Sequence, residues 1–240
     1  MATTDGPKII KNGLVVCIDA NNRKSYPRSG SSWYDVSGNN NHFNLSNTTF
    51  NESGGGNFVF NRSNAYGVSN NNIDLSSTGA ITIEYWIKFT YTGVMQYGEY
   101  SPSYSSRNAF CMDIKEFGDV GSFQFGSHTG AGYNIFYTSG GYNDDNWHCV
   151  QIVSDRSLSA SEETVIYVDG VPDFTQVATT YNKDLSGNYV DNYQMFLASR
   201  NGTSNFFGGN IASFRMYKRP LLASEIISNY NFYKRRFGHS

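Results

Sequence analysis

The residues whose types and spacing come closest to a catalytic pattern are two acidic side chains in one short segment. In glycoside hydrolases that carry their carboxyl groups on one strand, the pattern reads Glu-x-Asp-x-x-Glu. A retaining mechanism of this kind needs a nucleophile and an acid about 5 Å apart. Asp113 and Glu116 fit the last two positions, but Cys111 occupies the first. Without a carboxylate nucleophile the usual covalent intermediate cannot form, so we predict that the chain is not an enzyme.

Other catalytic and metal-binding patterns are absent from the sequence. The four histidines lack the spacing of a zinc site, and there is no Gly-Lys-Ser/Thr phosphate loop or Gly-x-Ser-x-Gly turn. The three cysteines are far apart, and Cys17 and Cys149 fall within apolar strand patterns. We expect these two thiols to be buried and inert.

A tyrosine-rich segment over residues 91–108 is the candidate recognition loop. Tyr97, Tyr100 and Tyr104 lie among serines and glycines. Tyrosine offers a large contact area at low entropic cost, so these rings could stack on a sugar or on a partner protein. The alternative is that they cover the edge of the fold.

Composition limits the class of protein. Only 16% of the 240 residues are charged, 16% are aromatic, and the formal net charge is −2, which argues against a nucleic-acid partner. The longest apolar run, residues 14–18, is too short to insert into a membrane. No signal peptide is visible at the N-terminus. We therefore expect synthesis in a reducing cytoplasm, with any export occurring through lysis or assembly.

Strand patterns dominate the chain. Residues 14–20 are apolar on both faces, and residues 81–89 alternate strictly, which is typical of a half-buried strand. Trp147 begins another strand, and we expect its ring to pack inward near Ile83 or Tyr85. These patterns predict a sandwich of two sheets.

Two further local signals concern turns and the C-terminus. The Asp169-Gly170 pair predicts a type I′ hairpin. Apolar residues at positions 222, 226, 227 and 230 have helical spacing and predict one short helix near the end.

Several segments together resemble a known family, the laminin G-like jelly roll of the concanavalin A-like lectin/glucanase superfamily. They occur in the family's order, and the resemblance covers residues 12–236. The segments are Ile18-Asp19-Ala20, Ser25-Tyr26-Pro27, the turn from Trp33 to Asn41, Phe58-Val59-Phe60, Trp147-His148-Cys149-Val150, Ile166-Tyr167-Val168-Asp169-Gly170, and Ile211-Ala212-Ser213-Phe214-Arg215-Met216-Tyr217.

The resemblance implies an all-β fold: a two-sheet antiparallel β-sandwich with a short C-terminal helix, as one domain over residues 1–240. Members of the superfamily often bind calcium through loop carboxylates and amides, which makes Asp35, Asp144 and Asp145 candidate ligands. Adjacent acids in a turn are also common turn formers, so both interpretations remain open. Family members usually place Ser where Leu222 stands, so the usual cap of the last helix is missing.

The final residues are similar to the tails of jelly-roll structural proteins from tailed phages. Lys234, Arg235, Arg236 and Phe237 combine positive charge with one aromatic ring. We expect this tail to be flexible and to dock the domain onto a virion protein or a second copy of itself. The alternative is a frayed terminus without a partner.

The functional hypothesis that follows is a non-enzymatic structural component of a tailed-phage virion. It would decorate the capsid or act as a fibre or tail-associated adhesion domain that binds host-surface polysaccharide or other virion proteins. A secreted or cell-surface carbohydrate-binding module, located outside the cell, is the alternative. A glycoside hydrolase is a third and weaker candidate because the nucleophile is missing.

Overall fold

A computed structural model describes residues 8–101, 109–114, 118–129, 132–173, 176–177, 185–189 and 192–240. Over these residues the chain forms two antiparallel sheets packed face to face, with one α-helix near the C-terminus. The predicted all-β sandwich with a short C-terminal helix is therefore confirmed.

The elements follow one another along the chain as short strands and a final helix. In order they are β1 (Leu14–Asp19), β2 (Ser32–Trp33), β3 (Phe43–Ser46), β4 (Thr49–Asn51), β5 (Asn57–Asn61), β6 (Tyr66–Ser69), β7 (Ala80–Lys88), β8 (Met95–Tyr100), β9 (Ala109–Ile114), β10 (Phe123–Thr129), β11 (Gly132–Tyr137), β12 (His148–Asp155), β13 (Thr164–Val168), β14 (Val171–Pro172), β15 (Gln176–Val177), β16 (Met195–Leu197), β17 (Gly208–Tyr217) and α1 (Ala223–Tyr233).

Within the described residues, the strands form one sheet of eight and one of nine. Sheet A has the order β14-β13-β12-β7-β17-β5-β4, with β1 also paired to β17. Sheet B has the order β15-β11-β10-β9-β8-β16-β6-β3-β2. Strands that are distant in sequence are neighbours in space, as in β7 beside β17, so the fold depends on long-range pairing.

The main core lies between the sheets. On β7 the side chains of Ile83, Tyr85 and Ile87 point into it, and Phe214 of β17 packs beside Tyr85 with ring centroids 4.8 Å apart. The predicted inward face of this strand is confirmed. Its other face is buried as well, because α1 and the turn that follows it cover sheet A from outside. The expectation of a half-buried strand is therefore wrong.

A buried ion pair lies on the outer face of sheet A and is linked to the helix through Gln151. Glu84 of β7 accepts a hydrogen bond from Arg215 of β17, and both side chains are buried. The Gln151 side-chain amide donates to Glu84 at 3.1 Å and to the Ile226 carbonyl of α1 at 3.0 Å. Burial lowers the pKa of Arg215, but the charge of Glu84, together with smaller contributions from Tyr233 and other neighbours, holds the pKa well above its ordinary value. These contacts fix α1 against the sheet.

The start of α1 does not depend on the missing serine cap. Glu225 accepts a hydrogen bond from the backbone N–H of Leu222 at 2.9 Å, which satisfies one of the free donors at the N-terminus of the helix. Arg219 in turn donates twice to the Glu225 carboxylate, at 2.7 Å each. The helix therefore begins where the apolar spacing predicts. No helix among the described residues is long and apolar enough to span a membrane.

Candidate binding site

A cleft of about 500 Å³ opens at one end of sheet A. We call it the rim cleft. It lies between the loop that precedes β12, the last residue of β7 and the C-terminal segment. Its lining residues are Lys88, Asp145, Asn146, Trp147, His148, Tyr230, Phe237, Gly238, His239 and Ser240.

The C-terminal wall of the rim cleft is held by stacked aromatic rings. Phe237 is buried, and its ring lies on that of Trp86, 4.2 Å between centroids. The ring of Trp147 also packs against Phe237, with centroids 4.9 Å apart and planes tilted by 46°. Trp147 itself is only partly buried, so it remains accessible from the cleft.

Two hydrogen bonds of His239 stabilise the same wall. Its Nε2 lies 2.8 Å from the Trp147 carbonyl oxygen, and its Nδ1 lies 3.0 Å from the hydroxyl group of Tyr230. A carbonyl can only accept, so Nε2–H donates to it, and Nδ1 is left to accept from the tyrosine. This arrangement joins the loop before β12 to the helix and the tail. The wall is thus formed before any ligand arrives.

The floor of the rim cleft contains a histidine held between two carboxylates. His148 Nδ1 lies 2.8 Å from Asp169, and Nε2 lies 3.1 Å from Asp144. Burial alone lowers the pKa of His148, but the hydrogen bonds and charges of Asp169 and Asp144 outweigh it, so the pKa is raised. Asp169 also accepts from the backbone N–H of Cys149 at 2.8 Å. These contacts fix the loop at the base of β12.

A charged pair lies at the mouth. Lys88 Nζ is 3.0 Å from Asp145, whose side chain is 65% exposed. The backbone N–H of Asp145 donates to the Phe89 carbonyl at 3.3 Å, which ties the loop to the end of β7. The rim cleft therefore combines an aromatic surface with hydrogen-bonding groups and with charged side chains of both signs. This arrangement suits non-covalent recognition.

A comparison with models of protein families identifies the superfamily of this chain. The model of a laminin G family, described as concanavalin A-like lectin/glucanases superfamily, matches residues 37–227, well over half of the chain. The chain belongs to this superfamily. A search of curated protein sequences found no relative.

Solved structures with a similar fold include binding domains of botulinum neurotoxins. The serotype D binding domain has a TM-score of 0.67 over 93% of this chain at 14% identity, and the serotype G binding domain has 0.65 over 92% at 16%. The binding domain of neurotoxin DC, solved in complex with rat synaptotagmin II, has 0.67 over 93% at 13%. The chain spans about half the length of these domains, 51–52%. At such identities the likeness shows the fold alone.

The three aspartates expected from the superfamily as calcium ligands each have other partners. Asp144 binds His148, and Asp145 binds Lys88. Asp35 accepts from the backbone N–H of Cys17 at 2.8 Å and from the N–H groups of the turn that follows it. No group of three or more His, Cys, Asp or Glu side chains within the described ranges could hold a metal ion. These contacts order loops, and calcium binding at the three aspartates stays a prediction.

The tyrosine-rich segment does not present a recognition loop at the positions predicted. Residues 95–100 form β8, and both Tyr97 and Tyr100 are fully buried in the main core. The Tyr100 hydroxyl donates to the Ile73 carbonyl at 2.7 Å. Neither ring can stack on a ligand from there, so this prediction is wrong for both. Tyr104 lies outside the described residues.

The tail and Trp147 also differ from expectation. Residues 234–237 form a 3₁₀ turn on sheet A, so the tail is not a flexible arm and Phe237 is not free to anchor a partner. Arg236 donates to Asp19 at 2.7 Å, Lys234 donates to the Ser240 carbonyl at 2.6 Å, and Arg235 is exposed. Trp147 packs on the outer face of sheet A with Phe237 and not in the core near Ile83 or Tyr85.

One buried acid was not singled out by any sequence pattern. Glu99 lies on β8 directly opposite Cys111 of β9, and both face away from the main core. Burial raises the pKa of Glu99 to about 7, and the Asn201 backbone N–H and the Arg200 charge offset this only in part. Neither carboxylate oxygen of Glu99 accepts a hydrogen bond of ordinary length and angle. Strand alternation around residue 99 could have found it, but glycine and tyrosine obscured the pattern.

Proposed function

We propose that this chain is a non-enzymatic recognition domain that binds a surface glycan or a receptor protein through the rim cleft. The observation that carries the proposal is the preformed wall in which Trp147, Phe237 and His239 hold one another. A rigid aromatic surface beside polar groups binds at a low entropic cost, because little has to be ordered on binding.

Among the residues that the structure describes, which do not include Glu116, the arrangement of acids supports a binding role over hydrolysis. Asp113 faces the same side of sheet B as Glu99, on the neighbouring strand, but Glu99 is fully buried and Asp113 is almost so. A glycosidic bond must contact its acid and nucleophile directly. Both carboxyl groups are buried in this conformation, so neither can contact a glycosidic bond.

The similar fold of the neurotoxin binding domains supports a binding role for this chain. The domain of the botulinum neurotoxin C/D mosaic serotype is a receptor-binding domain, and that of neurotoxin DC was solved with rat synaptotagmin II. We extend from them only the general role, recognition of a surface receptor by a jelly-roll domain. Which class of receptor this chain binds is inferred from the residues of its own rim cleft.

The setting we propose is the virion of a tailed phage, assembled in the host cytoplasm, where the domain decorates the capsid or belongs to a fibre or the tail. The support is the similarity of the C-terminal sequence to phage jelly-roll proteins. Mass spectrometry of purified virions tests this directly. Detection at a fixed copy number supports it, whereas recovery only from culture medium or cell surfaces favours a secreted carbohydrate-binding module.

Binding itself is tested on an array of bacterial surface polysaccharides. We compare the unchanged chain with Lys88→Ala, which removes a cation at the mouth of the cleft, and with Lys24→Ala, an exposed lysine outside it. We expect Lys88→Ala to weaken binding at least about fivefold and Lys24→Ala to leave it unchanged. Equal binding by all three proteins, or release of reducing ends from the polysaccharides, would overturn the proposal.

A further inference from the structure

A second, smaller depression lies on sheet B, where β6, β8 and β16 run side by side. It has a volume of about 210 Å³. We call it the amide pocket. Its lining residues are Asn72, Ser101, Asn192, Tyr193, Gln194, Phe196 and Asn201, so no charged side chain lines it within the part of the chain that the structure describes.

The walls of the amide pocket are fixed by contacts outside it. The Gln194 side-chain N–H donates to the Ser69 carbonyl at 2.7 Å, which leaves the Gln194 amide oxygen as an acceptor. Tyr193 pairs with Ile73 through the backbone, and its ring packs edge-on against Tyr100 with centroids 5.4 Å apart. The pocket therefore needs little rearrangement before it can bind.

The buried acid Glu99 does not line this pocket, but its partner on the neighbouring strand and a residue close to it in sequence do. Phe196 is its direct partner on β16, and Ser101 follows two residues later on the same face of the chain. Both carboxylate oxygens of Glu99 lack a hydrogen-bond donor of good geometry. A buried acceptor without a well-aligned donor destabilises the protein, so this strand carries an unsatisfied polar group next to the pocket.

We propose that the amide pocket binds a single neutral, hydroxyl-rich ring, with the size and chemistry of one sugar residue. Amides and hydroxyls both donate and accept, which matches neighbouring hydroxyl groups on a sugar ring. The rings of Tyr193 and Phe196 offer apolar surface to its C–H groups. A charged sugar would lose its hydration without gaining a counter-charge.

The amide pocket does not depend on the rim cleft, so either proposal can fail without the other.

Saturation-transfer NMR tests the pocket with single sugars as probes: glucose, galactose, mannose, N-acetylglucosamine and, as a charged comparison, N-acetylneuraminic acid. The variant is Asn72→Ala with Asn192→Ala. The matched control is Asn70→Ala, an exposed asparagine two residues from Asn72 that does not line the pocket. We expect at least one neutral sugar to give a signal that the double variant reduces at least about fivefold and the control retains.

Three results would overturn the proposal. These are no signal from any neutral sugar, an unchanged signal in the double variant, or equal binding of N-acetylneuraminic acid. Trp147→Ala separates the two sites, because it removes a wall of the rim cleft and should leave the amide-pocket signal intact. A signal lost in Trp147→Ala and kept in the double variant assigns the sugar to the rim cleft and contradicts the pocket.

Discussion

Phe237 lies flat on Trp86, with ring centroids 4.2 Å apart and planes inclined by 20°. Trp86 belongs to β7 in the middle of sheet A, and Phe237 is the fourth residue from the end of the printed sequence. The contact therefore joins the C-terminal segment to the sheet and supports Trp147 above it. The tail is a structural part of the sandwich and builds one wall of the rim cleft.

Truncating Phe237 should destabilise the fold. Phe237→Ala removes a buried ring that contacts two tryptophans, and we expect a loss of about 3 kcal/mol in the free energy of unfolding. Chemical denaturation measures it. Arg235→Ala, which changes an exposed side chain in the same turn, is the control and should lie within about 0.5 kcal/mol of the unchanged chain. Equal stability of the two variants would mean that the tail does not pack as described.

The buried ion pair between Glu84 and Arg215 should show strong coupling. Arg215→Met leaves the Glu84 carboxylate buried without its partner and should cost about 3–5 kcal/mol. The double variant with Glu84→Leu removes both charges and should cost clearly less than the sum of the two single changes. Denaturation of all four proteins completes the cycle. Additive costs would contradict the pairing.

Gly170 should resist substitution for two reasons that can be separated. Its φ is +78°, and an added Cβ would lie 2.8 Å from the ring of Tyr230. Gly141 has a φ of +94° but open space around it. Alanine at Gly141 should therefore cost only backbone strain, about 1–2 kcal/mol, and alanine at Gly170 should cost more. Equal melting temperatures for the two variants would argue against close packing of the hairpin on α1.

Glu99 should make stability depend on pH. Burial raises its pKa from the ordinary value of 4.5 to about 7, so the folded state binds more protons than the unfolded state between these values. The stabilisation that this group provides is fully present below about pH 4.5 and is lost as the pH rises through about 7. The total loss in the free energy of unfolding is on the order of 3 kcal/mol. Glu99→Gln cannot ionise, so its advantage over the unchanged chain should be larger at pH 8 than at pH 5. A constant difference across this range would contradict the buried acid.

Local sequence signals predicted much of the sandwich. The alternation at residues 81–89 identified which side chains of β7 enter the core. Asp169 and Gly170 both have positive φ, as the predicted type I′ turn requires. The apolar spacing after position 221 located α1. Each of these signals lies within a few residues, where periodicity and turn chemistry act directly.

The errors came from contacts between distant residues. The segment around Tyr97 reads as a loop because of its glycine and tyrosine content, yet pairing with β9 and β16 makes it a strand. The side on which Trp147 lies depends on Phe237, which is 90 positions later in the sequence. The tail looked free because nothing local indicates that Trp86 covers its ring. The rim cleft could therefore not be predicted from any one segment.

The most direct test of the rim cleft uses the indole N–H signals of the three tryptophans in a ¹⁵N NMR spectrum. Trp147 borders the cleft, whereas Trp33 is fully buried elsewhere in the main core. The probe is the polysaccharide that binds most strongly on the array, added as a short oligosaccharide. We predict that the Trp147 signal shifts progressively with added ligand while that of Trp33 stays fixed. Saturable binding that leaves the Trp147 signal unmoved would contradict the assignment of the rim cleft as the recognition site.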